Sequence, residues 1–477
     1  MSVVNTEDAI ARVTALLGSS KVRRPKHDDP LGHDATFLDA GSFVVVHPEN
    51  TNDVVEVTAA CRDLKMPLVT RGAGTSLVGG PVPIAGGIIL STERLTGLEI
   101  DAANACAVAS AGVITGDLQA AAGRHGLMYP PDPGSVDIST IGGNIACNAG
   151  GMCSIKYGVT ADYVIGLTVV LADGTVLRLG GKTRKRASGY RLMQLFVGSE
   201  GTLGVITEAV VKLVPQPRFR SAAMIGYDHL EEAAEAVARI LAAGHFPCAL
   251  EILDSNAIEL LADHLPARFR PTLEGILIVE QDGNDESTTR AELSRTVMEL
   301  RGAVQLVAQT DAERAELWAG RRYFGRILMS RRKNAFAEDI AVPLSSVPEM
   351  VRRVQTIAKE AGLTIATVGH AGDGNLHPSM LFDDNQRHLV GPAAARIMTE
   401  ALDLGGTVSA EHGLGALKRD FAQLEHGSDA MRLMRDLKNL LDPEGLLNPH
   451  KIFPEAAADG EFLEHLPGWV PDLKDEG

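Results

Sequence analysis

Residues Pro130–Gly151 read PPDPGSVDISTIGGNIACNAGG. Prolines, two glycine pairs (Gly142-Gly143 and Gly150-Gly151) and the asparagines Asn144 and Asn148 make this stretch too irregular for any periodic element. A segment of that composition brings backbone rather than side chains up to whatever it touches. Two more glycine-rich stretches flank it. RGAGTSLVGG (Arg71–Gly80) follows directly on the apolar strand Pro67–Thr70, and GSEGTLGVIT (Gly198–Thr207) comes later. Glycines let N–H groups approach a diphosphate, and Arg71 adds charge-assisted bonds. A Rossmann turn does not fit, because Leu77 replaces its third glycine and Gly79, Gly80 and Pro81 would break the helix it must open. Taken alone, Arg71–Gly80 reads equally as a structural turn. Three such loops together suggest a long, extended ligand held mostly by backbone.

Working outward, 477 residues are too many for one core, so two or more domains are expected. The 45% apolar content and 49 glycines suit a mixed helix and sheet protein. The net charge of −16 argues against a broad nucleic-acid surface, yet it leaves room for a locally positive pocket. No apolar run approaches the ~18 residues of a membrane-spanning helix, and Glu7 and Asp8 precede any apolar block. The expectation is therefore a cytoplasmic protein. Five cysteines without a CxxC pair indicate neither a disulfide framework nor a thiolate zinc site.

Helices are predicted over Thr6–Leu17, from Val54 to Leu64 with Thr51 or Asn52 as cap, and over Thr115–His125. Strands are predicted at Ser42–Val46, Ile88–Ser91, Cys106–Ala109 and Val164–Leu171. The last turns at Asp173-Gly174 into a hairpin with Val176–Leu179. Pro215 and Pro217 mark a boundary. Beyond it, helices near Leu230–Ala243 and Glu286–Arg301 alternate with strands such as Gly275–Glu280, as in a second α+β domain. A basic helix (Asp429–Leu441), an Asp442-Pro443 stop and LNPHKIF close the chain.

A second constellation lies in GHAGDGNLH (369–377) and SAEHGLG (409–415). His370 and His377 flank a glycine-rich turn containing Asp373 and Asn375, and Glu411 arrives from another small-residue segment. Two imidazoles and a carboxylate suit zinc, manganese or iron and leave positions open for substrate. The bland alternative is that they only hydrogen-bond a turn. His412 follows Glu411, and both can face one site only where the backbone is irregular, as Gly413 and Gly415 allow.

In order and spacing these loops resemble the FAD-binding domain of the vanillyl-alcohol-oxidase (PCMH-type) superfamily. From about Val44 to Phe453 the chain is similar to its glycolate oxidase flavoprotein subunit, D-lactate dehydrogenase and D-2-hydroxyglutarate dehydrogenase branch. The resemblance implies an α+β fold: a 1–40 lead, a two-subdomain PCMH-type FAD-binding domain at 41–217, an α+β substrate (cap) domain carrying the metal site at 218–420, and a C-terminal helical segment at 421–477 returning to the FAD domain. It implies flavin contacts at Arg71, Gly72, Gly74, Thr75 and Ser76 in the first loop. In the second they fall on Pro131, Ser135, Gly142, Gly143, Asn144 and Gly151, and in the third on Gly201, Gly204 and Ile206. Covalently flavinylated relatives often carry histidine where Thr75 stands, so non-covalent FAD is expected.

The same resemblance makes His370, His377 and Glu411 ligands of a divalent metal, with Zn2+ the first choice and Mn2+ or Fe2+ the others. It makes His412 the general base and Arg321, in WAGRRYFG, the partner of the substrate carboxylate. Arg321 also reads as a solvated helix arginine. Gly325, Ala337 and Ser379 stand where the 2-hydroxyglutarate enzymes carry threonine, lysine and asparagine. A small D-2-hydroxy acid such as D-lactate or glycolate is therefore favoured over D-2-hydroxyglutarate, unless Arg331, Arg332 or Lys333 compensates. Reduced flavin needs an electron acceptor: a quinone, a cytochrome, an electron-transfer flavoprotein or an iron–sulfur subunit. Association with such a partner at a membrane surface and a homodimer are compatible with the sequence. The competing readings are a metal-dependent hydrolase that binds no flavin and a non-enzymatic flavin-binding subunit.

Overall fold

A computed structural model describes residues 6–26, 29–36, 38–269, 272–330 and 334–454. Arg331, Arg332 and Lys333, which bear on substrate size, lie outside the described residues. The chain divides into two compact units. Among the described residues, one takes those up to Ala149, Val159–Gln216 and 411–454; the other takes Gly150–Gly158 and Pro217–Ala410.

The first unit holds two sheets. In the four-stranded sheet the order is Val22–Arg23, Phe43–Val46, Gly87–Ser91, Leu68–Arg71, and the last three run parallel. Buried parallel strands need apolar residues on both faces. Phe43–Val46 and Gly87–Ser91 are accordingly buried at every position. Helices Thr6–Leu17 and Thr51–Leu64 cover the sheet, packing Ala9, Val13, Val54 and Val57 on Val44, Val46, Ile88 and Leu90. The cap of the second helix is Asn50, whose side chain accepts from Asp53 N, and not Thr51 or Asn52. The five-stranded antiparallel sheet runs Leu98–Asp101, Cys106–Ser110, Val205–Lys212, Val164–Val170, Val176–Gly180, and contains the expected hairpin.

Pro130–Gly151 is more regular than its composition suggests, for Ile141–Cys147 is a helix. Thr140 caps it through a bond from Gly143 N, and Asn148 ends it in the left-handed conformation. The glycines serve packing here: a Cβ on Gly142 would lie 2.6 Å from the Ala111 Cβ. The C-terminal helix begins earlier than predicted, at Ala422, and is interrupted at Gly427.

The tail returns to the four-stranded sheet. Leu68 N donates to Leu446 O (2.8 Å) and Asn448 N to Leu68 O (2.9 Å), so Leu447 covers the open edge of Leu68–Arg71. Asn448, at φ 41°, also donates through Nδ2 to Gly80 O (3.0 Å) and Glu200 O (2.7 Å). One amide thus ties the first glycine-rich loop to the third.

The second unit is an eight-stranded antiparallel sheet. Seven strands run Val304–Val307, Phe219–Tyr227, Gly275–Gly283, Ala249–Asp254, Thr364–His370, Asn375–Leu381, Ala335–Ala337, and Ile340–Ala341 also pairs with Asn375–Leu381. Helices Leu230–Ala242, Glu286–Leu300 and Val347–Ala361 pack on it. The alternate residues Ala222, Met224, Ala249, Leu253, Ile276, Ile278, Ala366 and Val368 form a core with Leu317, Trp318 and Phe324 of the helix Asp311–Ser330. No described helix is long and apolar enough to cross a membrane.

Asn448→Ala deletes both side-chain bonds to buried carbonyls and places alanine at positive φ, which predicts a loss of about 1–3 kcal/mol of stability. Denaturant midpoints measure it, and an unchanged midpoint would take the tail's anchoring away from Asn448.

Candidate active site

In the first unit the site begins with Arg71, at the end of its strand and 5% exposed. One terminal nitrogen donates to Pro30 O (3.1 Å), while Nε and Nη1 are buried without a hydrogen-bond partner among the described residues. Burial pulls the Arg71 pKa below its ordinary value, opposed by the charges of Asp34 and Asp29. Buried guanidinium donors without a protein acceptor fit an anionic ligand. The glycines supply the close approach: a Cβ on Gly74 would strike the Arg71 guanidinium, and one on Gly72 would strike the Thr140 hydroxyl. The first loop therefore lies against the cap of the helix Ile141–Cys147.

The other positions expected at a flavin fall into two groups. Thr75 is half-buried, and Ser76 Oγ accepts from Val78 N and Gly80 N, holding its own loop. Pro131 is buried, its carbonyl bonded by Gln119, and Ser135 is half-buried. Gly143 N is spent on Thr140, and Asn144 Nδ2 donates to Thr115 Oγ1 (2.7 Å). Gly201 adjoins Thr70 and Asn448. Gly204 packs on Val169, and Ile206 is a buried strand residue. Gly151 belongs to the second unit, in a segment where Lys156 and Tyr157 both bond Asp282.

In the second unit His370 ends the strand Thr364–His370, and His377 lies in the next strand, opposite Val368. Their rings meet edge to face with centroids 5.2 Å apart, and both side chains are nearly buried. The strand register sets Ile252 beside Gly369 and Leu253 beside Val368, which brings Glu251 up to His370. Glu251 Oε1 is 2.6 Å from His370 Nδ1, and Oε2 accepts from Arg321 Nε at 2.6 Å. Burial alone would raise the Glu251 pKa. The charges of His370 and Arg321 and their hydrogen bonds outweigh it and hold the carboxyl below its usual range.

Arg321 reaches Glu251 from the helix Asp311–Ser330. Four and seven residues along from Arg314, Trp318 and Arg321 share one face. Arg314 and Trp318 bond Glu280 Oε2 (3.3 and 2.7 Å), and Arg321 takes Glu251. Arg321 is thus neither a solvated helix arginine nor committed through its whole fork, because the bond uses Nε and not the terminal nitrogens.

His377 also turns Nδ1 toward a buried carboxylate, Asp339 Oδ1 at 3.6 Å. Asp339 further accepts from Asn375 Nδ2 (2.8 Å) and Ser409 Oγ (3.0 Å). His370, held by Glu251 through Nδ1, has the kind of supporting carboxylate that orients a ligating histidine, while His377 Nδ1 stands at ion-pair distance from Asp339 without a hydrogen bond to it. Ser379, two residues past His377, is fully buried opposite Ala337. Glu411 and His412 follow Ser409 by two and three residues, and their side chains lie 3.7 Å apart. They leave regular structure, with Gly413 and Gly415 at φ 86° and 51°.

Sequence reasoning missed Glu251 and Asp339. Glu251 is an acidic residue within an otherwise apolar strand, ALEILD. Such a residue signals a buried partner, although it does not name one.

An FAD binding domain matches residues 43–180, and the C-terminal domain of FAD linked oxidases matches 216–452. The chain belongs to the FAD-linked oxidase family and is an FAD-linked oxidoreductase. Glycolate oxidase subunit GlcD of Bacillus subtilis (strain 168) is 41% identical over 87% of this chain and 89% of its own length. A D-lactate dehydrogenase of Archaeoglobus fulgidus is 38% identical over 87% and 92%. In fold the chain is similar to p-cresol methylhydroxylase, with a TM-score of 0.77 at 16% identity over 94% of this chain and 96% of that one. The hydrolase alternative, which leaves the three loops without a role, falls away.

Arg71→Leu keeps bulk and deletes the buried donors. FAD affinity is predicted to fall roughly 10- to 100-fold, the equivalent of one or two charge-assisted bonds. Titration of the apoprotein with FAD checks this; unaltered affinity removes Arg71 from the flavin contacts.

Proposed function

We propose that the protein oxidises a small D-2-hydroxy acid, D-lactate or glycolate, to the 2-oxo acid with non-covalent FAD and a divalent metal. The observation that carries this reading is the pair of buried histidines, His370 bonded to Glu251 and His377 beside Asp339, in a chain with an FAD-binding domain. The relatives named glycolate oxidase subunit and D-lactate dehydrogenase support the substrate class.

His370 and His377 would hold the metal through Nε2, with Glu411 as third ligand. Ser409 is tied to Asp339, which stands beside His377, and Glu411 follows two residues on, within about 8 Å of chain. Zn2+ suits this donor set, as do Mn2+ and Fe2+. When bound, FAD supplies the acceptor for the hydrogen leaving C2 as hydride, and a divalent ion acidifies the 2-hydroxyl. The chain's own part is to hold the substrate and move one proton. The terminal nitrogens of Arg321 take the substrate carboxylate while Glu251 fixes the other side of the fork. His412 removes the hydroxyl proton. The donated hydride and that proton account for the two hydrogens lost in forming the 2-oxo acid.

Substrate length follows from Ala337 and Ser379. They are cross-strand neighbours, so two of the three departures from the 2-hydroxyglutarate pattern fall at one place, near His377. Two short side chains there offer little to a second carboxylate, which favours a monocarboxylate over D-2-hydroxyglutarate. Turnover requires an acceptor of electrons, such as a quinone, cytochrome, electron-transfer flavoprotein or iron–sulfur subunit.

The direct test is anaerobic mixing of the purified flavoprotein with D- and L-2-hydroxy acids while the flavin spectrum is followed. D-lactate or glycolate is expected to bleach it fastest, and the absence of bleaching by every hydroxy acid would defeat the proposal. His412→Ala is expected to retain FAD and slow reduction by roughly 100-fold or more; unchanged kinetics would remove the base assignment. Glu251→Gln is expected to weaken metal affinity by about 10- to 100-fold in chelator competition. An unaltered metal content at every chelator concentration would disconnect Glu251 from the metal.

A further inference from the structure

Glu200 lies in the third glycine-rich loop and has no part in the chemistry described so far. It is a buried glutamate at φ 50°, a backbone conformation that costs a residue with a Cβ about 1 kcal/mol or more. That conformation is fixed from both sides: Glu200 N donates to Ala146 O (2.8 Å), and its carbonyl accepts from Asn448 Nδ2. The side chain is spent entirely on one short stretch of backbone. Oε1 accepts from Leu414 N and Oε2 from Gly415 N, each at 2.8 Å. A Cβ on Gly413 would lie 2.9 Å from Glu200 Oε1, and one on Gly415 would strike Val78 O. That Val78 carbonyl accepts from Ala416 N and Leu417 N, so the turn is gripped on its far side as well.

We infer that Glu200 is a positioning residue, whose carboxylate clamps the Gly413–Gly415 turn and thereby fixes where the His412 imidazole stands for the oxidation proposed above, a reading on which this inference rests. Leu414 is two residues from His412, so few backbone torsions separate the grip from the imidazole. A carboxylate suits the task because its two oxygens meet two successive N–H groups at once. Glutamine cannot do the same, since its NH2 group would face one of those N–H donors. Burial outweighs the Leu414 and Gly415 bonds and the Lys451 charge and leaves Glu200 raised to about 7. Lys451 comes from LNPHKIF and is itself anchored on Val82 O (2.8 Å).

The test compares wild type, Glu200→Gln, His412→Ala and the double variant as FAD-loaded proteins. Each is mixed anaerobically with the hydroxy acid that bleaches wild type fastest. Glu200→Gln is expected to keep its flavin content and visible spectrum while flavin reduction slows by about 10-fold or more, the scale on which small misplacements of reacting groups act. The double variant is expected to reduce no more slowly than His412→Ala alone, because a clamp acting through His412 has nothing left to position. Glu200→Gln reducing within two-fold of wild type, or a double variant slower by the product of both losses, overturns the inference and leaves the proposed function standing. His412→Ala reducing at the wild-type rate overturns both. Should Glu200→Gln fail to fold, amide exchange in wild type decides: protected Leu414 and Gly415 amides support the clamp, and exchange at the unprotected rate overturns it.

Discussion

The buried polar cluster of the second unit depends on how it keeps the Glu251 carboxylate, fully buried, in the charged state. A carboxylate removed from water is costly unless cations and hydrogen bonds replace its solvation. Here both oxygens are used, one by His370 and one by Arg321, and each bond fixes something else. The imidazole is held with Nδ1 inward, and the guanidinium is held by one edge. The strand order that puts Ala249–Asp254 beside Thr364–His370 is therefore as much a part of the site as the histidines are.

Asp339 is a second buried carboxylate beside the next strand. It accepts from Asn375 and from the distant Ser409, and His377 stands 3.6 Å away. GHAGDGNLH makes sense in this light. The hairpin needs a tight turn between two buried strands, and the residues flanking that turn are the ones that reach the carboxylates behind it. The family relationship gives the histidines a context, while the Glu251 bond gives His370 a fixed orientation.

Glycine-rich segments in the first unit owe much of their composition to close packing. Gly142 lies against Ala111 and Gly204 against Val169, and both would be needed in the bare protein. Arg71 differs, because two of its buried donors, Nε and Nη1, have no acceptor among the described residues. The tail links these loops: Asn448 reaches Gly80 and Glu200, and Lys451 reaches Val82. Residues 448–452 include three non-glycine positions at positive φ, a strain that such a network must hold in place.

Periodicity in the sequence marked only some of the helices and strands, those whose apolar spacing and capping residues act locally. It also marked the three loops, His370, His377 and the Glu411-His412 pair, whose residue types and order carry the family resemblance. It misjudged Ile141–Cys147, since glycines that signal a loop by propensity are here helical residues admitted by packing, and it assigned the wrong cap to Thr51–Leu64. Glu251, Asp339 and Glu200 were beyond its reach. Each acts through partners from about 30 to more than 200 residues away, and only strand register and loop packing choose among the chain's many acidic residues. The sequence by itself thus determined which chemistry is carried, while tertiary structure decided which buried carboxylates hold it in place, because a buried charge is defined by neighbours that no local pattern records.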